Sequence, residues 1–296
     1  MSVVAKQIND AMAIRLWNEI TFHTYKFGGT TVEIYGSKGS TKTTLMLKIA
    51  SKLRCESPNG VVPEPAIWRG RNVDQWSWYP KLSDVKVFVH KADDVAFYDE
   101  TGEEVEVKVT RYRNAEDLLQ KLGKFNVVYE PRNYSLSEDL LDLLAKRSTL
   151  PKRLMKDIEV DSSIWWFEFI AYLLERPDNN FLSIFIDEAD EVFPENPSGL
   201  RWHLQLWLKD NVKDLRKRNV SLYFSAHSHT DIDSRIRTKM QYRILMKGAR
   251  VPQGSLIDKK DPLFLKPGQA YIERDGYGKF SFDPLPERPK IVTRFC

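Results

Sequence analysis

The sequence has few of the features that define secreted, metal-binding or membrane proteins. Cys55 and Cys296 are the only cysteines in 296 residues, and they have neither the number nor the spacing for a disulfide framework or a cysteine metal site. No apolar run approaches the roughly 18 residues that a membrane span needs, and the N-terminus lacks a basic-then-apolar signal pattern. We therefore expect a soluble, cytoplasmic protein that does not associate with membranes.

The chain also has no large excess of charge of either sign. It contains 45 basic and 41 acidic residues, for a net charge of +4, which does not by itself indicate a nucleic-acid partner. Low-complexity tracts and internal repeats are absent from the sequence. With 42% hydrophobic and 12% aromatic residues, the chain is able to bury a large core in one or two domains.

The stretch from Thr30 to Leu47 has the pattern of a phosphate-binding loop. A β-branched and aromatic run predicts a strand, a small-residue loop follows, and a run with helical apolar spacing begins near Lys42. In such a strand–loop–helix unit, loop N–H groups and the helix N-terminus face an anion, a lysine reaches the outer phosphate oxygens, and a hydroxyl binds Mg²⁺. The predicted nucleotide-binding residues are Gly36, Ser37, Lys38, Gly39, Ser40, Thr41, Lys42, Thr43 and Thr44.

One position departs from the pattern G-x-x-x-x-G-K-[ST]. Thr41 stands where the pattern has its second glycine. If that position requires a positive φ, a β-branched residue is unfavourable there, and turnover would be impaired. A Gly/Ser/Thr turn before an ordinary surface helix is the alternative interpretation of the stretch.

A second motif follows an apolar run, between Phe181 and Glu191. The run has the length of a buried parallel strand and ends in two carboxylates, Asp187 and Glu188. Open α/β sheets bind their ligands at the carboxyl ends of such strands. We predict that Asp187, together with Thr43, holds Mg²⁺ and that Glu188 acts on the attacking water, although a solvated acidic loop is the alternative.

The remaining pattern predicts one α/β unit with additions. Helical spacing dominates residues 1–29, which we expect to pack on a P-loop ATPase domain spanning 30–296. A β-rich segment at about 66–130 is predicted to add strands to the core, with a hairpin turn at Asp99–Gly102. A second hairpin is expected at about 267–283. The predicted fold is therefore α/β, a P-loop NTPase with a mainly parallel central sheet, helices on both faces and β-hairpin additions.

Aromatic residues alternate with arginines between Trp68 and Tyr79. Such a pattern is able to stack on single-stranded bases, but large aromatic residues are more often buried. We favour packing in the core for this stretch.

The order of the later elements resembles a known family. A long helix, Gly199 to Arg218, ends in basic residues with Asn219 as its stop, and the strand Val220–Ala226 leads into His227 and the turn DIDSRI at 231–236. Together with the P-loop and the carboxylate strand, this order is similar to the HerA/FtsK superfamily of P-loop ATPases, which belongs to the additional-strand, catalytic-glutamate class and includes viral and plasmid packaging enzymes.

The resemblance implies a function and a set of roles. It implies ATP and Mg²⁺ as ligands, with Lys42 and Glu188 catalytic and His227 at the family's glutamine position, where it would sense the γ-phosphate. It also implies double-stranded DNA as a partner and assembly into a homo-oligomeric ring, such as a hexamer. In-trans arginine fingers are common in such rings. The candidates are Arg216, Arg218, Arg235 and Arg237.

The hypothesis from the sequence is a Mg²⁺-dependent, ATP-hydrolysing motor for DNA translocation or genome packaging. Thr41 and His227 keep open a nucleotide-gated replication or partition protein with weak or no hydrolysis. A structural protein with a degenerate P-loop is a third alternative. The preference for ATP over GTP follows from the resemblance alone.

Overall fold

Helices and strands alternate through most of the computed structural model, which describes residues 11–55, 64–79, 82–146, 160–283 and 290–295. The predicted helical residues before position 11 lie outside the described residues. The helices are α1 Ala11–Thr21, α2 Lys42–Cys55, α3 Ala115–Gln120, α4 Glu138–Ala145, α5 Trp165–Glu175, α6 Gly199–Lys217 and α7 Ser234–Arg237. The strands are β1 Thr31–Tyr35, β2 Ala66–Arg69, β3 Val73–Asp74, β4 Val85–His90, β5 Val95–Tyr98, β6 Val109–Tyr112, β7 Phe125–Val128, β8 Leu182–Ile186, β9 Val220–Ala226, β10 Tyr242–Met246, β11 Gln269–Glu273, β12 Tyr277–Ser281 and β13 Ile291–Phe295.

A ten-stranded sheet with the order β12-β11-β10-β1-β9-β8-β2-β7-β4-β6 organises the chain. Pairing is parallel from β10 through β6, and only β11 and β12 join it antiparallel. The predicted mainly parallel sheet with hairpin additions is therefore confirmed. Strand β9 lies between the P-loop strand β1 and the carboxylate strand β8, so the sheet has the additional strand implied by the resemblance.

Helices cover both faces of this sheet, as predicted. One apolar cluster packs α3 to α6 against the sheet, and a second packs α1 and α2 against the opposite face. Coverage on both faces explains why β1, β8 and β9 are buried at every position, since a parallel sheet has no solvated face. No helix among the described residues is long and apolar enough to cross a membrane.

The aromatic stretch after residue 66 packs in the core, as we favoured. Trp68, Trp76 and Tyr79 are all buried. Trp68 lies against Phe185, and Phe185 stacks on Tyr223 with ring centroids 4.5 Å apart, so the aromatic rings of three neighbouring strands form one row. Their surface is therefore not available for stacking on nucleic-acid bases.

Helix α6 ends where the sequence predicted. Its last helical residue is Lys217, and Asn219 has a φ of 56°, the left-handed conformation that stops a helix. The chain passes directly into β9, beside Gly29. A Cβ on Gly29 would lie 2.2 Å from the carbonyl oxygen of Val220, so only glycine permits this close approach.

The predicted hairpin around Asp99–Gly102 is only partly formed. The turn is present, with the Asp99 N–H donating to the carbonyl of Glu103 at 2.9 Å, but the two arms meet only in the bridge between Tyr98 and Glu104. Beyond that bridge, β5 pairs with β13 in a separate three-stranded sheet, and β6 joins the edge of the large sheet parallel to β4. Pairing with a distant strand therefore replaces most of the local hairpin.

Three charged side chains from neighbouring strands, one of them on the P-loop strand, form a largely buried ionic network. Arg243 on β10 is paired in register with Glu33 on β1 and Glu273 on β11. Its guanidinium lies 2.6 Å from the Glu33 carboxylate and 2.7 Å from that of Glu273. Burial raises the pKa of Glu33, although Arg243 and the Tyr35 hydroxyl act in the opposite direction. The two carboxylates therefore depend on Arg243 for compensation.

Replacing Arg243 with methionine should destabilise the fold strongly. The change leaves two buried carboxylates without their cation, and breaking a buried pair in this way costs about 3 to 5 kcal/mol. Urea unfolding measures the loss. Arg15→Ala is the matched control, because Arg15 pairs with Asp275 on the surface, where such pairs contribute about 1 kcal/mol or less. Equal effects of the two substitutions would contradict this account of the network.

Candidate nucleotide site

Three parallel strands bring the predicted site residues to one edge of the sheet. Tyr35 on β1 aligns with Ala226 on β9, and Ile186 on β8 aligns with Phe224, so the three strands end together. Parallel strands place their carboxyl ends on the same side, where α/β proteins bind ligands. The loop 36–41 follows β1 and leads into Lys42 and Thr43. Asp187 and Glu188 follow β8, and His227 follows β9.

The loop between β1 and α2 has the conformation of an anion cradle. Gly39 has a φ of 76°, which favours glycine, and a Cβ on Gly36 would lie 2.5 Å from the hydroxyl of Ser40, so Gly36 has no room for a side chain. The Ser40 hydroxyl is buried and has no hydrogen-bond partner among the described residues. The first N–H groups of α2, which begins at Lys42, lack partners within the helix and are able to bind an anion held by the loop. The loop therefore fits a phosphate group.

Lys42 lies over this loop. Its Nζ donates to the carbonyl of Gly36 at 2.8 Å and lies 3.4 Å from Nδ1 of His227. His227 is therefore the strand-end side chain that lies next to the ammonium group of Lys42. Burial lowers the pKa of Lys42, and the nearby carboxylates Asp187 and Glu188 act in the opposite direction. The ammonium is thus placed between the phosphate loop and the acidic pair.

Thr43 and Asp187 meet directly. The Thr43 hydroxyl donates to Oδ2 of Asp187 at 2.6 Å, and the other carboxylate oxygen accepts from the hydroxyl of Ser225. Hydroxyl and carboxylate oxygens are the ligands that Mg²⁺ takes, and this cation is usually held by one or two protein oxygens together with phosphate oxygens and water. No cluster of three or more His, Cys, Asp or Glu side chains suited to a metal occurs in the described ranges. The pair therefore fits a nucleotide-bound Mg²⁺ better than an independent metal site.

Glu188 has a strained backbone and an arginine partner. Its φ is 50°, in the left-handed region that non-glycine residues rarely adopt. The guanidinium of Arg71 contacts the Glu188 carboxylate and lies 3.3 Å from Glu191. Arg69 holds Glu191 at 2.6 Å and Glu130 at 2.8 Å, which continues the ionic network.

The contact between Arg71 and Glu188 was missed by the sequence analysis. Arg71 belongs to the stretch in which aromatic residues alternate with arginines, and nothing in its local pattern indicates a partner 117 residues away. The information that predicts this contact is the order of the strands in the sheet. Strand β2 pairs with β8, so residues just after β2 lie beside the carboxylates that follow β8. That pairing is not visible in the local sequence.

The candidate arginine fingers divide between the two ends of the sheet. Arg216 and Arg218 lie at the C-terminal end of α6, next to the start of β9 and away from the phosphate loop. Arg235 and Arg237 lie on α7, which follows the site edge, and Arg235 is paired with Asp233 at 2.5 Å. Lys42 lies close to the acidic pair. Among the described residues, none of these four arginines contacts Lys42. Their role in trans stays a prediction.

The chain is similar to several solved structures. No protein-family model matches it, and no curated protein matches it. It resembles the genome packaging NTPase B204 from Sulfolobus turreted icosahedral virus 2 in complex with ATP-gammaS, at 11% identity over 87% of this chain and 98% of that chain, with a TM-score of 0.41. It also resembles the N-terminal domain of zonular occludens toxin from Neisseria meningitidis, at 10% identity over 87% and 95% of the two chains, with a TM-score of 0.35.

A third similar structure is the cytoplasmic domain of the Thermomonospora curvata Type VII Secretion ATPase EccC. The identity is 12% over 88% of this chain and 24% of that chain, with a TM-score of 0.38. In each of these three comparisons fewer than one residue in eight is identical. At such low identity and TM-score they are likenesses only.

Thr41 has a positive φ, the backbone conformation in which glycine is the usual residue. Its φ is 71°, and its hydroxyl accepts a hydrogen bond from the Gly268 N–H at 3.1 Å. The left-handed region costs a β-branched residue about 1 to 3 kcal/mol. The hydroxyl contact offsets part of that cost. The sequence predicts impaired turnover if position 41 has a positive φ, and Thr41 has one.

Comparing Thr41→Gly with Thr41→Ala isolates this strain. Both changes remove the hydroxyl contact, but only glycine relieves the backbone, so the glycine variant should be more stable by about 1 to 2 kcal/mol. Thr41→Ser, which keeps the hydroxyl, serves as the control for the contact to Gly268. Thermal or urea unfolding measures all three. An alanine variant as stable as the glycine variant would show that the position is not strained.

Proposed function

We propose that this chain is a Mg²⁺-dependent ATPase that acts as a DNA-translocating or genome-packaging motor. The observation that carries the proposal is the 2.6 Å contact between Asp187 and Thr43, the residue that follows Lys42. This contact joins the phosphate loop to the acidic strand end, so one phosphate chain and one cation are able to engage both. A Gly/Ser/Thr turn with no ligand gives no reason for a lysine, a hydroxyl and a carboxylate to converge at one loop.

Each residue at this edge has a distinct part in hydrolysis. Lys42 and the loop N–H groups neutralise and orient the β- and γ-phosphates, and Thr43 with Asp187 holds Mg²⁺. Bound Mg²⁺ supplies charge neutralisation of the phosphate oxygens in the transition state. Glu188 orients the attacking water and accepts its proton. His227, which lies beside Lys42, senses the γ-phosphate.

The motor part of the proposal rests on the order of motifs. The P-loop, the carboxylate strand, the basic helix and the His227 turn occur in the order found in the HerA/FtsK superfamily. Double-stranded DNA is the proposed cargo, and the working form is a homo-oligomeric ring, such as a hexamer, in the cytoplasm. Because the net charge is only +4, the DNA-binding surface must arise from assembly, as a pore lined by lysine and arginine.

A second function is favoured by two specific observations. Thr41 is strained in the phosphate loop, and Glu188 is held by Arg71 in an ion pair. A carboxylate oxygen that accepts from an arginine is occupied by that contact, and an attacking water must compete with the guanidinium for it. The alternative is a nucleotide-gated replication or partition protein that binds ATP and hydrolyses it slowly or not at all.

ATP hydrolysis with and without double-stranded DNA separates these functions. Glu188→Gln should lower turnover about a hundredfold or more while ATP binding persists, because it removes a general base and leaves the phosphate site intact. Lys42→Ala should weaken ATP binding itself. Lys217→Ala is a matched control, because this lysine is 77% exposed at the end of α6, far along the sheet from the phosphate loop.

The motor and the nucleotide-gated protein predict different results in this assay. DNA-stimulated turnover that depends on Glu188, with DNA affinity that falls steeply as salt rises, supports the motor. ATP binding without turnover supports the gated protein. If Lys42→Ala and Glu188→Gln both hydrolyse ATP like the unsubstituted protein, hydrolysis does not take place at this site.

A further inference from the structure

The segment from residue 247 to 268 runs beside the phosphate loop and carries an exposed aromatic side chain. We propose that this side chain, Phe264, stacks on the base of the nucleotide whose phosphates the loop holds. The inference deepens the proposed function and rests on it. It assigns the nucleoside end of the site, for which the sequence contains no recognisable motif.

The orientation of the nucleotide follows from the strand order. Asp187 and Glu188 follow β8 and His227 follows β9, and both strands lie on one side of β1. The terminal phosphate must face these groups for hydrolysis to occur. The nucleoside, at the other end of the phosphate chain, therefore extends toward the opposite side of β1. That side is occupied by β10, from whose end the segment 247–268 begins.

Both ends of this segment are fastened to the phosphate loop. The Ser37 N–H donates to the carbonyl of Lys247 at 3.0 Å, and the Gly268 N–H donates to the hydroxyl of Thr41 at 3.1 Å. A Cβ on Gly248 would lie 2.7 Å from the Ser37 hydroxyl, so the backbone of the segment is in close contact with the loop. The residues nearest to these two anchors are thereby kept close to the phosphate loop.

Phe264 is held firmly within the segment although its side chain is exposed. The carbonyl of Pro262 accepts from the Gly248 N–H at 2.9 Å, and the residues on either side of the exposed pair, Pro262 and Leu265, are buried. Phe264 is 78% exposed and follows Pro262 by two residues, which is about 8 Å of chain at most. A large aromatic ring is thus presented to solvent by a fixed backbone beside the expected position of the base.

Stacking is the interaction that such a ring offers to a base. Every base has a π-face, so stacking on an aromatic side chain tolerates changes of base. A ring on an anchored turn also loses little conformational freedom on binding. The site is therefore expected to hold ATP and GTP with similar affinity, with most of its selectivity directed at the triphosphate.

Binding of ATP and of inorganic tripolyphosphate, each with Mg²⁺, tests the assignment by calorimetry. Phe264→Ala should weaken ATP binding about tenfold and leave tripolyphosphate binding unchanged, because tripolyphosphate has no base to stack. Phe264→Trp should retain ATP affinity. Leu256→Ala is the matched control, because this exposed apolar residue lies in the same segment and should change neither affinity. Lys42→Ala should weaken both ligands.

The results separate this inference from the proposed function. Equal ATP affinity in Phe264→Ala and the unsubstituted protein, or an equal loss for ATP and tripolyphosphate, would overturn the stacking role and leave the phosphate site in place. Failure of the unsubstituted protein to bind either ligand would instead overturn the nucleotide site itself. A loss of ATP affinity restored by tryptophan but not by leucine at position 264 would establish stacking.

Discussion

The hydrogen bond between Thr43 and Asp187 is the contact on which the functional arrangement depends. It exists because β1 and β8 run parallel with β9 between them, so that the first residues of α2 meet the end of β8 across one strand. A shift of any of these strands by one residue would turn the site residues to the other face of the sheet. Close packing on both faces opposes such a shift, because each side chain would have to fit a different set of neighbours. Burial on both faces also accounts for the nearly continuous apolar sequence of these strands.

Much of this arrangement could be predicted from the sequence, because its signals are local. The run from Thr30 to Leu47 contains its own strand, loop and helix start, and Asn219 marks the end of α6 within one or two residues. The contact of Arg71 with Glu188 could not be predicted, because it depends on β2 pairing with β8 across more than 100 residues of chain. The partial hairpin at Asp99 has the same origin, since the distant strand β13 competes for β5.

Two residues at the site have backbone conformations that their side chains disfavour. Thr41 and Glu188 both have positive φ, and each is held by a specific partner, Gly268 or Arg71. Strain of this kind persists only where surrounding contacts fix the chain. The threonine that departs from the phosphate-loop pattern thus has a structural part, because its hydroxyl joins the loop to the segment that carries Phe264. Threonine in place of glycine at position 41 is therefore compatible with a nucleotide site whose loop is fastened to that segment.

The most direct measurement of the central claim is ATP affinity in Mg²⁺ and in EDTA, for the unsubstituted protein and for Thr43→Val. The account predicts tighter binding with Mg²⁺ in the unsubstituted protein. It also predicts that the difference disappears in the valine variant, which keeps the shape of the side chain but lacks the hydroxyl ligand. Equal affinity in Mg²⁺ and EDTA for the unsubstituted protein would contradict the assignment of Thr43 and Asp187 as the site of the nucleotide-bound cation.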